Sequence, residues 1–385
     1  MNTLCPMSET DVADAVRAAA DKGSSFEVVG GGTKRAFGRP VNADAMLDLS
    51  ALSGILKYEP EELVLTVRAG TPIGDIQAEL AGKRQMLAFE PADWGPLFGA
   101  EAGRATLGGV VAANACGSRR VKAGAVRDSV IGCRFVNGRG EIVRAGGYVI
   151  KNVTGFDLPK LMCGAFGTLG VLTEITLRVS PLAERVQAIA VGNCSADVGL
   201  ALLRRTHQLP IDPTGLAYLP ARNTAYIRIE GSPAAVAEKL AVLKSEFTAQ
   251  DCATLEVEET AALFRDVSNA STFSDGPNDI WRLCVSPADA PAAINAADAA
   301  DWYADWAGGL LWLRLPANVE TATRLRGIAG RLGGHATLVR ASRAARESLS
   351  VFEPESPVRA ALTRSVKAAF DPKRVLNPGR MYKDV

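Results

Sequence analysis

The spacing of apolar residues in the first part of the chain predicts short strands and helices separated by turns. Apolar side chains recur at helical spacing after Ser8 and Thr10, either of which can cap a helix, so a helix is expected from Ser8 to Lys22. Asn137-Gly138-Arg139-Gly140 is a turn signal between two apolar runs and predicts a hairpin. The expected strands are 26–29, 46–49, 55–58, 63–67, 130–136, 141–144 and 171–179, with helices over 71–80 and 108–115.

The pattern changes after Ser180-Pro181, where glycine becomes rarer and strands alternate with Ala-rich helices. This alternation is typical of an α+β fold, and we predict two domains, residues 1–181 and 182–385. The expected elements are 186–192, 196–206, 223–229, 233–247, 279–285, 310–315, 318–330, 336–340 and a helix over 358–370. Proline and glycine in residues 371–382 predict an ordered, turn-rich tail.

Aromatic residues cluster late in the second half. Trp302 and Trp306 stand at helical spacing, which favours a helix face in the core over a surface for a partner. The run 310–313, which contains Trp312, is expected to be a buried strand.

Composition argues against several classes of function. The 385 residues carry a formal net charge of +1 without a long basic run, so nucleic-acid binding is not expected. Seven scattered cysteines without a C-x-x-C pair favour reduced thiols and argue against an iron–sulfur cluster ligated by this chain. The N-terminus lacks the features of a signal peptide, and no apolar run is long enough to be a transmembrane segment. A cytoplasmic location is therefore expected.

Glycine-rich loops are the main candidate for chemistry. VVGGGTK (28–34) follows a predicted strand, and ATLGG (105–109) and GTLG (167–170) add further loops. The first loop matches neither the G-x-G-x-x-G fingerprint nor the Walker A pattern, which argues against an NAD fold and a P-loop NTPase. Backbone amides in such loops can approach phosphates closely. Several separated loops favour one long ligand, and a flavin dinucleotide fits best.

These motifs together resemble a known family. VGGGTK, TLGG with Asn114 and Gly117, KNVTGFDLPKL (151–161) running into GAFGTLGVLTE, and the tail DPKRVLNPG are similar to the FAD domain of the vanillyl-alcohol-oxidase/PCMH flavoproteins. Within that family they resemble the branch that oxidises D-2-hydroxy acids, and there the smaller FAD-binding subunits of bacterial glycolate oxidases. The resemblance is strong over 26–180 and 371–382 and weak between them.

The resemblance implies a two-lobed PCMH-type FAD-binding domain followed by an α+β cap or substrate domain, with the tail returning to the flavin. Thr33-Lys34 stand where covalent relatives carry a histidine, so the FAD is expected to be non-covalent. The residues that the resemblance assigns to the cofactor are Gly30, Gly31, Gly32, Thr33, Lys34, Thr106, Gly108, Gly109, Asn114, Gly117, Gly124, Gly164, Gly167, Thr168, Gly170, Val171, Asn377 and Pro378.

Catalytic residues are harder to place. Oxidation of a 2-hydroxy acid needs a base and a cation for the carboxylate. Catalytic relatives carry Glu-His-Gly, often with further metal-binding histidines, whereas this chain has two histidines outside any such motif. His335 is the candidate base, His207 is expected on the surface, and no metal site is expected. Arg340 and Arg343 could meet a carboxylate but are expected to be solvated.

The expected function is that of an FAD-binding subunit of a glycolate (D-2-hydroxyacid) oxidase or dehydrogenase complex, which carries electrons or scaffolds the assembly. The resemblance implies two partners, a catalytic flavoprotein subunit and an iron–sulfur subunit, through which the chain could lie at the inner membrane. Two alternatives remain: a self-sufficient FAD-dependent 2-hydroxyacid oxidoreductase and a flavin-free assembly subunit. The scarcity of histidines argues against the first, and the intact glycine set against the second.

Overall fold

A computed structural model describes residues 2–147, 156–276 and 278–385. The strands are β1 (Asn2–Leu4), β2 (Phe26–Val29), β3 (Ala45–Asp48), β4 (Ile55–Glu59), β5 (Val64–Arg68), β6 (Gln85–Leu87), β7 (Val130–Val136), β8 (Ile142–Gly146), β9 (Val171–Pro181), β10 (Arg185–Gly192), β11 (Gly215–Leu219), β12 (Thr224–Gly231), β13 (Asp251–Leu255), β14 (Ile280–Cys284), β15 (Asp301–Asp305), β16 (Leu310–Arg314) and β17 (His335–Arg340). The helices are α1 (Glu9–Lys22), α2 (Ile73–Gly82), α3 (Leu107–Ala113), α4 (Arg120–Ala123), α5 (Val126–Ser129), α6 (Leu158–Met162), α7 (Ala196–His207), α8 (Pro233–Glu246), α9 (Val257–Asn269), α10 (Ala290–Ala297), α11 (Val319–Arg331), α12 (Arg343–Ser348) and α13 (Pro357–Phe370). The expected mixture of helices and sheets is confirmed.

The described residues form two compact units. The first comprises the residues up to Cys116, Ala125–Leu182 and Pro354–Val385; the second comprises Gly117–Gly124 and Ala183–Glu353. The chain enters the second unit again after Leu182 and returns to the first unit at Pro354. Helix α13 and the C-terminal tail therefore belong to the first unit.

The first unit contains two sheets. Strands β1, β3 and β2 are parallel, in that order. The larger, antiparallel sheet has the order β4-β5-β9-β7-β8, with β6 beside β9. Helix α1 begins with an expected cap: the Ser8 hydroxyl accepts the backbone N–H of Asp11, and the Asp11 carboxylate accepts the backbone N–H of Ser8. The helix ends at Gly23, which has φ 67°. Its apolar face packs with Phe26 and Leu376, which brings the two ends of the chain together.

The predicted hairpin between β7 and β8 is confirmed. The Asn137 side-chain oxygen accepts the backbone N–H groups of Arg139 and Glu141, at 2.9 and 3.1 Å, and Gly140 has φ 74°. A side chain that replaces backbone acceptors in this way fixes a tight turn. The same turn packs Gly138 against the C-terminal tail of the same unit.

The second unit is built on an eight-stranded sheet with the order β13-β10-β12-β11-β15-β16-β14-β17. Its neighbouring strands pair antiparallel, and α7, α8, α10 and α11 share one apolar core with one face of the sheet. Trp281 and Leu283 of β14 point into that core. Because side chains alternate along a strand, Arg282 and Cys284 lie on the opposite face.

The prediction of a helix containing Trp302 and Trp306 is wrong. Trp302 lies in β15, and Trp306 follows the strand in a left-handed conformation with φ 54°, which ends it. Strand 310–313 and its buried Trp312 are confirmed. Among the residues that the structure describes, no helix has the length and apolar character needed to cross a bilayer.

Candidate functional site

Two adjoining clefts lie in the first unit and share most of their wall. Residues that line both include Val28, Gly30, Thr106, Gly109, Ala112, Phe166 and Asn377. Shared walls make them one continuous channel, which we call the glycine groove. The loop after β2, the start of α3, the 166–170 loop and the C-terminal tail converge on it. The sequence reasoning expected this convergence from loops that are far apart in the chain.

The first loop is shaped by close backbone packing. A Cβ on Gly30 would lie 2.3 Å from the Thr106 hydroxyl oxygen, and one on Gly31 would lie 1.6 Å from the Arg104 carbonyl oxygen. These two glycines therefore let the loops after β2 and before α3 touch each other, whereas the sequence reasoning assigned them to ligand approach. Gly32 instead needs its positive φ of 74°, with no close neighbour at its Cβ position.

Lys34 gives the groove its unbalanced charge. Its ammonium is buried, has no hydrogen-bond partner and lies 5.9 Å from the centre of the Trp94 ring. Burial lowers the pKa of Lys34 to about 8, and the carboxylate of Asp93 only partly opposes that shift. A buried cation without a partner is unfavourable until an anion binds beside it. The side chain thus fits a phosphate-bearing ligand.

Other charges near the loop are already paired. The Arg35 guanidinium donates to both carboxylate oxygens of Glu27, at 3.1 and 2.5 Å. Arg380 of the tail donates to the Lys34 carbonyl at 3.0 Å and lies 3.6 Å from the same Glu27 carboxylate. The sequence reasoning missed Arg380, although it lies two residues after Pro378. Its role is to fasten the tail to the loop that carries Lys34.

Asn377 joins two walls of the groove. Its side-chain oxygen accepts the Val28 N–H at 2.8 Å, and its side-chain nitrogen donates to the Phe166 carbonyl at 2.8 Å. Gly167 has φ 67°, and a Cβ there would lie 2.8 Å from that nitrogen. Gly170 must be glycine for another reason, because a Cβ would lie 2.6 Å from the Phe135 ring. The GTLG loop is therefore shaped by the tail and by β7.

The structure brings together most of the residues expected at the cofactor. Those that line the glycine groove are Gly30, Gly31, Gly32, Thr33, Lys34, Thr106, Gly108, Gly109, Gly167, Gly170 and Asn377. Those outside its lining are Asn114, Gly117, Gly124, Gly164, Thr168, Val171 and Pro378. Gly117 and Gly124 are the first and last residues of the shorter of the two segments that make up the second unit. Residues 151–155 of the KNVTGFDLPKL motif lie outside the described residues.

His335 opens β17 as expected and lies opposite Cys284 of β14 in the antiparallel register. Their hydrogen bond raises the pKa of His335, although burial opposes it. Burial by itself would raise the pKa of Cys284, but the bond to His335 and the charge of Arg282 outweigh it and lower that pKa. The hydrogen bond thus stabilises the charged form of each partner, the thiolate of Cys284 and the imidazolium of His335.

The other candidates carry ordinary structural contacts. His207 is exposed at the end of α7. Arg340 is buried and donates to the Asn278 carbonyl at 2.7 Å, so its expected solvation is wrong. Arg343 is exposed as expected and pairs with Glu347 at 2.8 Å. Within the described ranges, no three His, Cys, Asp or Glu side chains are grouped to hold a metal ion.

A wider groove lies in the second unit between α9 and the sheet. Its lining includes Tyr226, Val267, Arg222, Glu259 and Asp266. None of its lining residues is a glycine, and its two carboxylates would repel a phosphate. The glycine groove, with its unpaired ammonium, is the better site for a dinucleotide.

Comparison with known proteins identifies the family and the cofactor. Residues 2–146 match the FAD binding domain family, and residues 351–381 match the C-terminal domain of the FAD linked oxidases. The glycolate oxidase subunit GlcE of Escherichia coli (strain K12) is 34% identical over 382 residues, covering 99% of either chain. The glycolate oxidase subunit GlcD of Bacillus subtilis (strain 168) is 32% identical over 156 residues, covering 40% of this chain and 32% of its own length.

Solved structures show the same fold. p-Cresol methylhydroxylase with substrate bound has a TM-score of 0.72 at 14% identity, over 98% of this chain and 88% of that one. The expected PCMH-type fold is thereby confirmed. The cofactor is FAD. The glycine loops and the unpaired cation of the glycine groove are features that suit a diphosphate. With a relative so similar over its whole length, this chain belongs to the FAD-linked oxidase family that includes the glycolate oxidase subunit GlcE.

Proposed function

We propose that this chain is the FAD-binding subunit of a glycolate (D-2-hydroxyacid) oxidase complex. The observation that carries the proposal is the full-length match to GlcE, a protein named as a subunit of that enzyme. The unpartnered ammonium of Lys34 in a groove of glycine loops supports FAD as the ligand. The alternative of a flavin-free assembly subunit leaves this buried cation without a function.

The residues of the groove have separate tasks in this proposal. Lys34 neutralises part of the diphosphate charge, and the amides of the Gly30–Gly32 loop donate to its oxygens. Asn377 holds the Val28 and Phe166 walls at a fixed distance. Met162, Phe166 and Leu172 give the far end of the groove an apolar lining suited to a ring system. When bound, FAD supplies the acceptance of a hydride or electrons.

A second subunit completes the proposed complex. GlcD of Bacillus subtilis is also named as a glycolate oxidase subunit and is similar to part of this chain. We therefore propose a partner flavoprotein of related fold that carries out the substrate chemistry, because this chain has two histidines and no Glu-His-Gly. An iron–sulfur subunit is the proposed next electron carrier, and through these partners the assembly would lie at the inner membrane.

The decisive experiment is the visible spectrum of the chain expressed alone, followed by anaerobic addition of glycolate. We expect a flavin band that glycolate leaves unchanged, and bleaching only after a GlcD-like subunit is co-expressed. Bleaching in the isolated chain would instead establish a self-sufficient oxidoreductase, and His335 would become the first residue to replace. A colourless chain that does not take up added FAD would refute the FAD-binding role.

A further inference from the structure

A buried lysine behind the glycine groove ties its walls together without lining it. Lys367 lies on α13, a helix whose other residues are all exposed or partly exposed, and its side chain is 3% exposed. Its ammonium donates three hydrogen bonds: to the carbonyls of Thr168 and Leu376, at 2.7 and 2.9 Å, and to Asp371 at 2.8 Å. An ammonium has three donors, so all of them are used.

The two carbonyls belong to segments that form the groove. Thr168 follows Gly167, and Leu376 precedes Asn377; both Gly167 and Asn377 line the groove. Leu376 also forms a parallel bridge with Phe26, two residues before Val28. One ammonium therefore fixes the distance between the GTLG loop and the segment of the tail that leads into Asn377.

Asp371 completes the arrangement. Its carboxylate is fully buried and accepts the N–H groups of Val375 and Leu376, each at 2.9 Å, in addition to the Lys367 bond. Its oxygens thus have charge-assisted partners that hold the turn of the tail. Gly138, in the β7–β8 turn, makes room for it, because a Cβ there would lie 2.1 Å from the Asp371 carboxylate oxygen.

We propose that Lys367 and Asp371 are positioning residues of the FAD site, which couple docking of the C-terminal tail to retention of FAD. The inference rests on the assignment of the glycine groove to FAD. If a docked tail favours FAD, bound FAD must favour the docked tail by the same factor. FAD should therefore protect the exposed Lys373 and Arg374 of the tail from trypsin.

Two variants disturb the Lys367–Asp371 pair, one at each partner, and neither replaces a residue that lines the groove. Lys367→Met removes the three donors, and Gly138→Ala displaces Asp371 while leaving every charge in place. We expect each to weaken FAD binding at least about tenfold, equal to about 1.4 kcal/mol, and to speed release of FAD. The matched controls are Arg364→Met, at an exposed position of the same helix, and Gly74→Ala, where nothing lies within 4 Å of the added Cβ.

The readouts separate positioning from general stability. FAD affinity and release rate are measured by flavin fluorescence, and folding of the FAD-free variants by circular dichroism in urea. Wild-type affinity in both folded variants would overturn the proposal. If neither variant folds, trypsin cleavage of the wild-type tail decides: slower cleavage with FAD supports the coupling, and equal rates refute it. Wild-type protein that binds no FAD would refute the assignment of the groove itself.

Discussion

Replacing Lys34 by methionine should stabilise the FAD-free protein while weakening its hold on FAD. Burial lowers the pKa of the folded-state ammonium to about 8, against an ordinary value of 10.5. At about 1.4 kcal/mol for each unit, this difference corresponds to roughly 3 kcal/mol of unfavourable free energy in the folded protein near pH 7. Methionine fills a similar volume without the charge, so K34M should recover much of that amount.

The pH dependence follows from the same difference. Below pH 8 the lysine is protonated in both the folded and the unfolded protein, so the full destabilisation is present. Between about 8 and 10.5 the unfolded chain binds a proton that the folded chain does not, so wild-type stability rises with pH. The advantage of K34M should therefore be largest near neutral pH and shrink above pH 8.

In K34M the affinity for FAD should fall, whereas the stability of the FAD-free protein should rise. A hydrogen bond to a charged group contributes about 1.5–3 kcal/mol, so loss of the ammonium should weaken FAD binding on the order of 10- to 100-fold. In the wild-type protein, affinity should also decline above pH 8, because the diphosphate then has to draw a proton onto Lys34. K34M should lack this decline.

Urea denaturation of the FAD-free protein at pH 7 and pH 9.5, with a fluorescence titration of FAD at both values, measures these effects. Lys244→Met, at an exposed position of α8, is the matched control and should change neither quantity. The reasoning would be refuted by a K34M protein that is less stable than wild type without FAD. Unchanged FAD affinity would equally show that Lys34 does not face the diphosphate.

Further predictions concern the glycine loop and the thiol of the second unit. Gly31→Ala should abolish FAD retention, because its Cβ would lie 1.6 Å from the Arg104 carbonyl oxygen. Gly74→Ala should retain FAD and keep or slightly raise stability, because nothing lies within 4 Å of its Cβ. Flavin absorbance after gel filtration tests both variants. Cys284 should react with iodoacetamide at neutral pH, its sulfur bonding to carbon as iodide leaves. His335→Gln should raise the Cys284 pKa and shift the pH–rate profile to higher pH, since His335 lowers that pKa in the wild-type protein. Peptide mass spectrometry with exposed Cys5 as the reference follows the reaction, and a profile unmoved in H335Q would contradict the pairing.

Elements with strong end signals were predictable from the sequence. Helix α1 has a capping box and a terminal glycine, and the β7–β8 hairpin has an Asn-Gly turn. The sequence reasoning missed α9, which lacks both signals: Glu256 makes no side-chain cap bond, and Ala270 adopts φ 55° where glycine is usual. It also missed α10, which ends at Asp298 with φ 51°, and the short strands β11, β13 and β15. These elements are stabilised by tertiary packing and not by local end signals in the sequence.

The candidate site was predictable where glycines mark it. The loops at Gly30–Gly32, Gly108 and Gly167 converge on one groove as expected. The sequence could not indicate Lys367, since a lysine on a helix is usually solvated and its burial depends on carbonyls of distant segments. Phe166 was missed because its residue type indicates neither its left-handed conformation, φ 53°, nor the hydrogen bond that its carbonyl accepts from Asn377.

The pairing of Val28 with Asn377 bears on how the protein is made. These residues are 349 positions apart, yet their hydrogen bond joins two parts of the wall of the glycine groove. Chains emerge from the ribosome N-terminus first, so the glycine loop is made long before the tail that completes its wall. The groove can form in full only after residues 376 and 377 have been made. A nascent chain stalled before Asn377 would carry the glycine loops without the contact that joins Val28 to the tail.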